Sequence, residues 1–295
     1  MLRVRKLMRF TKMQGIGNDF VVLNGDELLG MPNFSSLAIT LCDRHFGVGA
    51  DGLLVLSHKP AGRGVPFAMR MFNPDGTEDM CGNGLRCAVL WACRANWLAG
   101  QAHFDVMTKD GARSVRIIET ANAERSAQIG VDMGAPFFAP PDLPFGDTSV
   151  PTVFDYPLHV ADRTFSISTT YTGSTHTVIF GDVVDEETFQ RYSPLIETHP
   201  LFPERTTVMW TTVRGINHLD VRIWERGVGE TLGCGTGACA VAVSAVQHGF
   251  VPSGVPVDVV SKGGILSITW GAPNGDIDMV GPATVVFDGD FALES

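Results

Sequence analysis

"DMCGNGLRCAVLW", Asp79 to Trp91, places a thiol before Gly-Asn-Gly and then turns apolar. A second stretch, "GCGTGACAVAV" from Gly233 to Val243, repeats the thiol, both glycines and the apolar continuation. From Cys81 to Cys234 is 153 residues, and the same offset relates "TKDG" (Thr108–Gly111) to "SKGG" (Ser261–Gly264) and Gly76 to Gly229. A short β-like run precedes each thiol, "FAMRMF" at 67–72 and "LDVRIW" at 219–224, and a long apolar segment follows, at 85–98 and 238–250. Each lysine-bearing turn leads into an alternating segment, "ARSVRII" in one copy and "ILSITW" in the other. Upstream, "GNDFVV" (17–22) matches "GSTHTV" (173–178) at an offset of 156, which a three-residue gap reconciles.

An internal duplication, with one helix among several strands per copy, is the economical reading. The motif-bearing copies run over roughly 8–130 and 131–282, so the expected domains are 1–130 and 131–282. The strand-like "ATVVFDGDFAL" after 282 is expected to return to the first domain, through 283–295. The Pro-rich stretch at 134–151 is unsuited to a regular central strand or helix and reads as loop.

In each copy the pattern predicts a strand, a Gly-rich turn and a helix, with Asn83 and Thr236 as the expected N-caps. The thiol then lies beside unpaired N–H groups and the positive end of the helix dipole. That setting stabilises a thiolate. The same N–H groups can hold a carboxylate, and glycines let the backbone approach it.

Composition bounds the rest. The chain has 295 residues, 44% of them hydrophobic and 18% charged, which suits globular domains. Its formal net charge of −10 disfavours a nucleic-acid or anionic-membrane partner. The N-terminal "MLRVRKLMRF" is basic but no apolar segment follows, so a secretory signal is not expected, and the motif-bearing sequence starts near Met8. No apolar run reaches about 18 residues, so no membrane span is read. Six cysteines without a C-x-x-C pair argue against a disulfide scaffold and a zinc site, and for a cytoplasmic protein with reduced thiols. Cys42, Cys87, Cys93 and Cys239 have apolar helical neighbours and read as small buried groups.

Two thiols converging on one small substrate can exchange protons at an acidic C–H beside a carboxylate. A thiolate removes the proton from one face and a thiol returns one to the other. Helix ends stabilise the charge that develops. Two other readings stay open on these residues alone. C-G-x-G before a helix also makes a phosphate-binding nest, although phosphate has no need of cysteine. The thiols can also be structural, although their Gly-rich setting is polar.

Four blocks identify a family. "RFTKMQGIGNDFVVLNG" (9–25), "DRHFGVGADGLLVL" (43–56), "FNPDGTEDMCGNGLRC" (72–87) and "WERGVGETLGCGTGACA" (224–240) closely resemble diaminopimelate epimerase. The resemblance implies an α+β fold of two pseudo-symmetric domains. Each is a β-barrel-like roll of mostly antiparallel strands around a central helix, and the active site lies in the cleft between them. It implies interconversion of LL- and meso-diaminopimelate, towards lysine and peptidoglycan, with no pyridoxal phosphate, no other cofactor and no metal. The expected partner is a small amino-acid substrate, and a homodimer is allowed for. By resemblance Cys81 and Cys234 are the acid–base pair. Gly82 and Asn83, with Gly235 and Thr236, match the helix-end positions that hold the reacting carboxylate. Asn18 and Asn73 match substrate-contacting asparagines, although "IGND" and "FNPDG" are also good turn sequences. His176 matches a histidine that tunes the pair. Glu225 and Arg226 match the family's Glu-Arg pair, Glu225 acting at the reaction and the substrate, Arg226 holding the distal carboxylate through its guanidinium fork.

The chain departs from the family's pattern twice. Ser174 and Thr207 stand where the family has substrate-binding asparagines. A lost buried polar partner costs about 1–3 kcal/mol. A cofactor-independent racemase of another amino acid therefore remains an alternative. A non-catalytic ligand-binding relative is a more distant one, and it is expected to have lost a thiol.

Overall fold

The structure, a computed structural model, describes residues 6–28, 33–58, 65–122, 125–140, 142–271, 273 and 275–293. The first five residues of the basic N-terminal stretch lie outside the described residues. The chain forms two compact units, Met1–Val131 with Gly281–Ser295, and Asp132–Val280.

The N-terminal elements are β1 (Lys6–Gly15), β2 (Asn18–Asn24), α1 (Phe34–Cys42), β3 (Gly52–Ser57), β4 (Ala68–Phe72), β5 (Glu78–Asp79), α2 (Gly82–Arg94), β6 (His103–Thr108), β7 (Gly111–Asn122) and β8 (Ser126–Asp132). There follow β9 (Tyr156–Val160), β10 (Arg163–Tyr171), β11 (Thr175–Phe180), α3 (Glu186–Glu197), β12 (Thr207–Gly215), β13 (His218–Glu225), β14 (Gly229–Thr231), α4 (Gly235–Gln247), β15 (Val257–Ser261), β16 (Gly264–Trp270) and β17 (Ile277–Leu293).

In the first unit a ring of eight strands closes. β1 pairs antiparallel with β2, β2 parallel with β3, β3 antiparallel with β4 and β4 parallel with β6. β6 pairs antiparallel with β7 and β7 with β8. The last stretch of β17 joins β8 and β1 and completes the ring. Helix α2 is buried at every position from Gly82 to Leu90 and packs on β1 to β4, so it fills the ring. β3 is buried at five successive positions because α2 covers one face and α1 the other. That double cover is why "GLLVL" is a continuous apolar run with no alternation. Full burial of each such leucine contributes roughly 1.5–3 kcal/mol.

The second unit repeats the plan. β10 to β13 pair in sequence, β13 pairs parallel with β15, and β15 and β16 lead to the first residues of β17. Here the Pro-rich stretch replaces the eighth strand. Met133 and Gly134 hydrogen-bond Ile277, and Phe137 bridges Tyr171 through bonds of 3.0 and 2.9 Å. Pro136 and Pro140 keep this segment irregular, since proline has no N–H to donate.

The duplication extends to detail. α2 and α4 have 13 residues each and start 153 residues apart. The β6–β7 hairpin closes on Thr108 paired with Gly111, and the β15–β16 hairpin on Ser261 paired with Gly264.

Two expectations need correcting. Among the described residues each copy has two α-helices, not one. α1 and α3 are crossovers between the parallel pairs β2–β3 and β11–β12, which a tight turn cannot connect. The N-caps are also not Asn83 and Thr236. Cys81 and Cys234 themselves cap α2 and α4 in extended conformation, with φ −140° and −130°. The helices start earlier than expected because their glycines are helical, so Asn83 and Thr236 fall in the first turn. Among the described residues no helix is long and apolar enough to cross a membrane.

Candidate functional site

The β4–β5 hairpin delivers Cys81 to the start of α2, and the β13–β14 hairpin delivers Cys234 to the start of α4. A guanidinium fork staples each hairpin. Arg70 donates to both oxygens of Glu78 at 2.8 and 2.7 Å, and Arg222 to both oxygens of Glu230 at 2.9 and 3.1 Å. Lys262 adds a further bond to Glu230. Gly76 and Gly229 hold φ of +84° and +96° in these hairpins, a conformation that favours glycine. Gly237 lies close to Met209: a Cβ there would come within 2.7 Å of its Sδ, so that side chain would have to shift.

In the first unit, Cys81 Sγ donates to Asn18 Oδ1 at 3.6 Å, and Asn83 Nδ2 donates to the same oxygen at 3.2 Å. Arg86 is completely buried, and its Nη2 donates to Asn83 Oδ1 at 2.7 Å. Its Nε donates to the carbonyl of Pro282 at 3.2 Å. Asn18 Nδ2 donates to Asp51 Oδ2 at 2.9 Å. Gly82 is buried in the same helix turn. Asn73 sits in the β4–β5 turn, where its amide donates to Thr77 Oγ1 at 3.1 Å.

In the second unit, Cys234 Sγ accepts from the Gly237 N–H at 3.4 Å and lies 3.4 Å from Thr236 Oγ1 and 4.0 Å from His176 Nε2. His176 is fully buried. Its Nδ1 is 2.8 Å from the Ser174 carbonyl, which can only accept, so Nδ1 carries the proton and Nε2 is the acceptor. Thr236 Oγ1 is 3.1 Å from that Nε2 and donates to it. Burial pushes the His176 pKa down to about 4; the Ser174 carbonyl pulls it upward and nearby Arg226 pushes it further down. The imidazole is thus neutral at ordinary pH.

The turn at 173–176 lies on α4, with Thr172 Oγ1 donating to the Thr236 carbonyl at 2.9 Å. Thr207 pairs with His176 across β11 and β12, and its hydroxyl accepts from the Arg226 N–H at 3.2 Å. Arg226 Nη1 donates to the Glu204 carbonyl at 3.2 Å. Glu225 and Gly229 pair at the mouth of the next hairpin. Gly235 is buried at the start of α4. Each unit thus gathers its own half of the expected set: Asn18, Cys81, Gly82 and Asn83 in the first, and Ser174, His176, Thr207, Arg226, Cys234 and Thr236 in the second.

Sequence reasoning missed Asp51, Arg86 and Glu197. The signal for Arg86 was an arginine inside an apolar helix. Asp51 lies in "GADG", a turn-like segment with no local signal for a chemical role. Glu197, only 6% exposed, accepts from Trp224 Nε1 and the Gly227 N–H at 2.8 Å each and from Arg205 at 3.3 Å, fixing the turn that carries Glu225 and Arg226. Of the remaining thiols, burial pushes Cys42 and Cys87 up to about 12, as structural groups require.

The diaminopimelate epimerase family profile matches residues 10–138 and 168–286. A diaminopimelate epimerase from Desulforudis audaxviator is 41% identical over 283 residues, covering 96% of this chain and 98% of that protein. Another, from Pelotomaculum thermopropionicum, is 40% identical, covering 96% of this chain and 99% of that protein. Among solved structures, a hydroxyproline epimerase from Agrobacterium vitis with bound trans-4-hydroxy-L-proline superposes with a TM-score of 0.73 at 14% identity, covering all of this chain and 95% of that one. A PhzF-family phenazine biosynthesis protein from Bacillus anthracis gives 0.71 at 16% identity, covering 98% of this chain and all of that one. At such identities these two likenesses concern the fold.

Proposed function

This chain belongs to the diaminopimelate epimerase family, and from that premise we propose that it interconverts LL- and meso-diaminopimelate by a two-thiol proton exchange through Cys81 and Cys234. The observation that carries the reading is the matched pair of thiols, each the N-cap of one of two repeat-related helices. The reaction is an isomerisation on the way to lysine and peptidoglycan precursors.

One thiolate takes the Cα proton: the C–H bond breaks, an S–H bond forms, and the electron pair spreads over Cα and its carboxylate. The second thiol gives its proton to the opposite face and is left as the thiolate. The stereocentre inverts, and no group besides the proton moves. First-turn amides of α2 and α4, at Gly82, Asn83, Gly235 and Thr236, suit the carboxylate as its charge grows. His176, a neutral ring whose Nε2 accepts from the Thr236 hydroxyl beside Cys234, tunes that thiol. Arg226 takes the distal carboxylate, and Glu225 acts beside it. Asn18 and Asn73 supply amide contacts to the substrate. The setting is the cytoplasm, which keeps thiols reduced.

Ser174 and Thr207 favour a second reading, racemisation of another amino acid by the same two thiols. Proton NMR of Cα exchange in deuterated solvent, without added cofactor, decides between them. LL-diaminopimelate is run beside glutamate, lysine and histidine. Exchange and epimerisation of diaminopimelate alone is the expected result. Exchange of another amino acid, with diaminopimelate inert, overturns the proposal.

A further inference from the structure

The Cys81 half of the site contains a hydrogen-bond chain with a charge at each end. Asp51 Oδ2 accepts from Asn18 Nδ2 at 2.9 Å, Asn18 Oδ1 from Asn83 Nδ2 at 3.2 Å, and Asn83 Oδ1 from Arg86 Nη2 at 2.7 Å. A carboxylate can only accept and a guanidinium can only donate. Asp51 therefore fixes Asn18 with its nitrogen towards the carboxylate. Arg86 fixes Asn83 with its oxygen towards the guanidinium. Turning either amide over would set two donors or two acceptors against each other. The two constraints agree, and they leave Asn18 Oδ1 facing the Cys81 sulfur at 3.6 Å.

The ends of the chain are themselves held. Asp51 Oδ1 accepts from Arg44 Nη2 at 2.7 Å, and its Oδ2 also accepts the Asp19 N–H at 3.1 Å. Arg86 is bound to the Pro282 carbonyl and is wholly buried. The matching half is built from other groups. At the repeat offsets Asn18 corresponds to Ser174 and Arg86 to Cys239, and Cys234 there receives an N–H from Gly237.

We propose that Asp51 and Arg86 are positioning residues for the reaction, which together lock the Asn18 carbonyl onto the Cys81 thiol and hold that thiol in its S–H form in the resting enzyme. A carbonyl that accepts from S–H stabilises the neutral group over the thiolate. This deepens the proposed function and rests on it. Several charged or titratable groups surround Cys81. Lys12 is paired with Asp19, and Arg44 with Asp19 and Asp51. Glu78 is stapled by Arg70 on the preceding hairpin, Asp79 ends β5, and Arg86, Cys42 and Cys87 lie on the helices.

The test reads the thiols without substrate. The full-length protein is alkylated with iodoacetamide across about pH 5 to 10, and modification of Cys81 and Cys234 is followed separately by peptide mass spectrometry, the midpoints reporting thiol ionisation. In the double variant Asp51→Ala with Arg86→Gln, neither end of the chain dictates an orientation, so Asn18 and Asn83 can turn over together and Asn18 can offer N–H to the sulfur. The Cys81 midpoint is expected to fall by about one unit, or tenfold more thiolate at a given pH, with Cys234 unmoved. The shift is expected to persist in about 1 M KCl, which screens a half-exposed charge but not an amide's orientation. Asp51→Ala and Arg86→Gln made singly each leave the other lock in place and are expected to move the Cys81 midpoint much less. Arg44→Gln leaves Asp51 on Asn18 and is expected to leave the high-salt midpoint in place. A Cys81 midpoint unchanged in the double variant, with the parent's circular-dichroism spectrum retained, or a shift abolished by salt, overturns the proposal. Neither result bears on whether diaminopimelate is the substrate, which the exchange experiment reads independently.

Discussion

Replacing His176 with glutamine is expected to flatten the acid side of the stability profile. The ring is fully buried, and burial lowers its pKa from 6.5 to about 4. As pH falls below 6.5, the imidazole of the unfolded chain takes up a proton that the folded protein refuses until about 4. The unfolded state binds more protons throughout that window, so stability rises with pH there and is lost as pH falls. The span of 2.5 units (6.5 − 4) corresponds to about 3 kcal/mol at roughly 1.4 kcal/mol per unit. Glutamine can donate to the Ser174 carbonyl and accept from Thr236 but does not titrate. Urea unfolding followed by fluorescence at closely spaced pH values compares the two proteins. The parent should lose about 3 kcal/mol more than His176→Gln between neutral pH and about pH 4. Parallel profiles would refute the argument that His176 is a neutral acceptor held so by burial.

Three further outcomes are expected. Cys81→Ser and Cys234→Ser should each nearly abolish epimerisation, because each face of the carbanion needs its own acid–base group; normal turnover in either, measured by NMR, rules out two-thiol exchange. Arg226→Ala should raise KM for diaminopimelate far more than for a monocarboxylic amino acid, and an equal loss for both removes its assignment to the distal carboxylate. Glu197→Gln turns one of the two acceptor oxygens into a donor facing either the Trp224 or the Gly227 N–H, which should cost about 1–3 kcal/mol and raise KM with little change in kcat. Calorimetry and kinetics that find no change in either count against Glu197 as the anchor of the Arg226 turn.

The duplication was legible because backbone requirements recur in the letters. A glycine at positive φ, a thiol before a helix and a lysine-bearing hairpin turn must each recur where the fold recurs. Hence the offset of 153 from Cys81 to Cys234 is also the offset between the starts of α2 and α4. The outer helices were harder to see. α1 is nine residues of "FSSLAITLC", too short for a period to stand out, and α3 contains Pro194. The N-caps were misplaced because Gly82 and Gly235 read as turn residues when they are the first residues of helices. Glu197, Asp51 and Arg86 act by orienting groups that are distant in the chain. Arg86 reaches Pro282, 196 positions away, and no local pattern encodes that.

β17 sets an order of assembly. It runs unbroken from its pairing with β16 at Ile277–Val280 to its pairing with β1 at Thr284–Leu293. During synthesis the residues of β1 to β8 emerge first, yet their ring has no eighth strand until residues 284–293 have been made. The first unit is therefore started first and finished last. In the interval β1 and β8 are open edges, and an open edge is a template for stray pairing. A pause in translation between about residue 140 and 280 prolongs that interval, and the long-range closure that ends it is the kind of contact that folds slowly. The same strand makes Cys81 answerable to chain made some 200 residues later, because the Pro282 carbonyl that receives Arg86 arrives with β17.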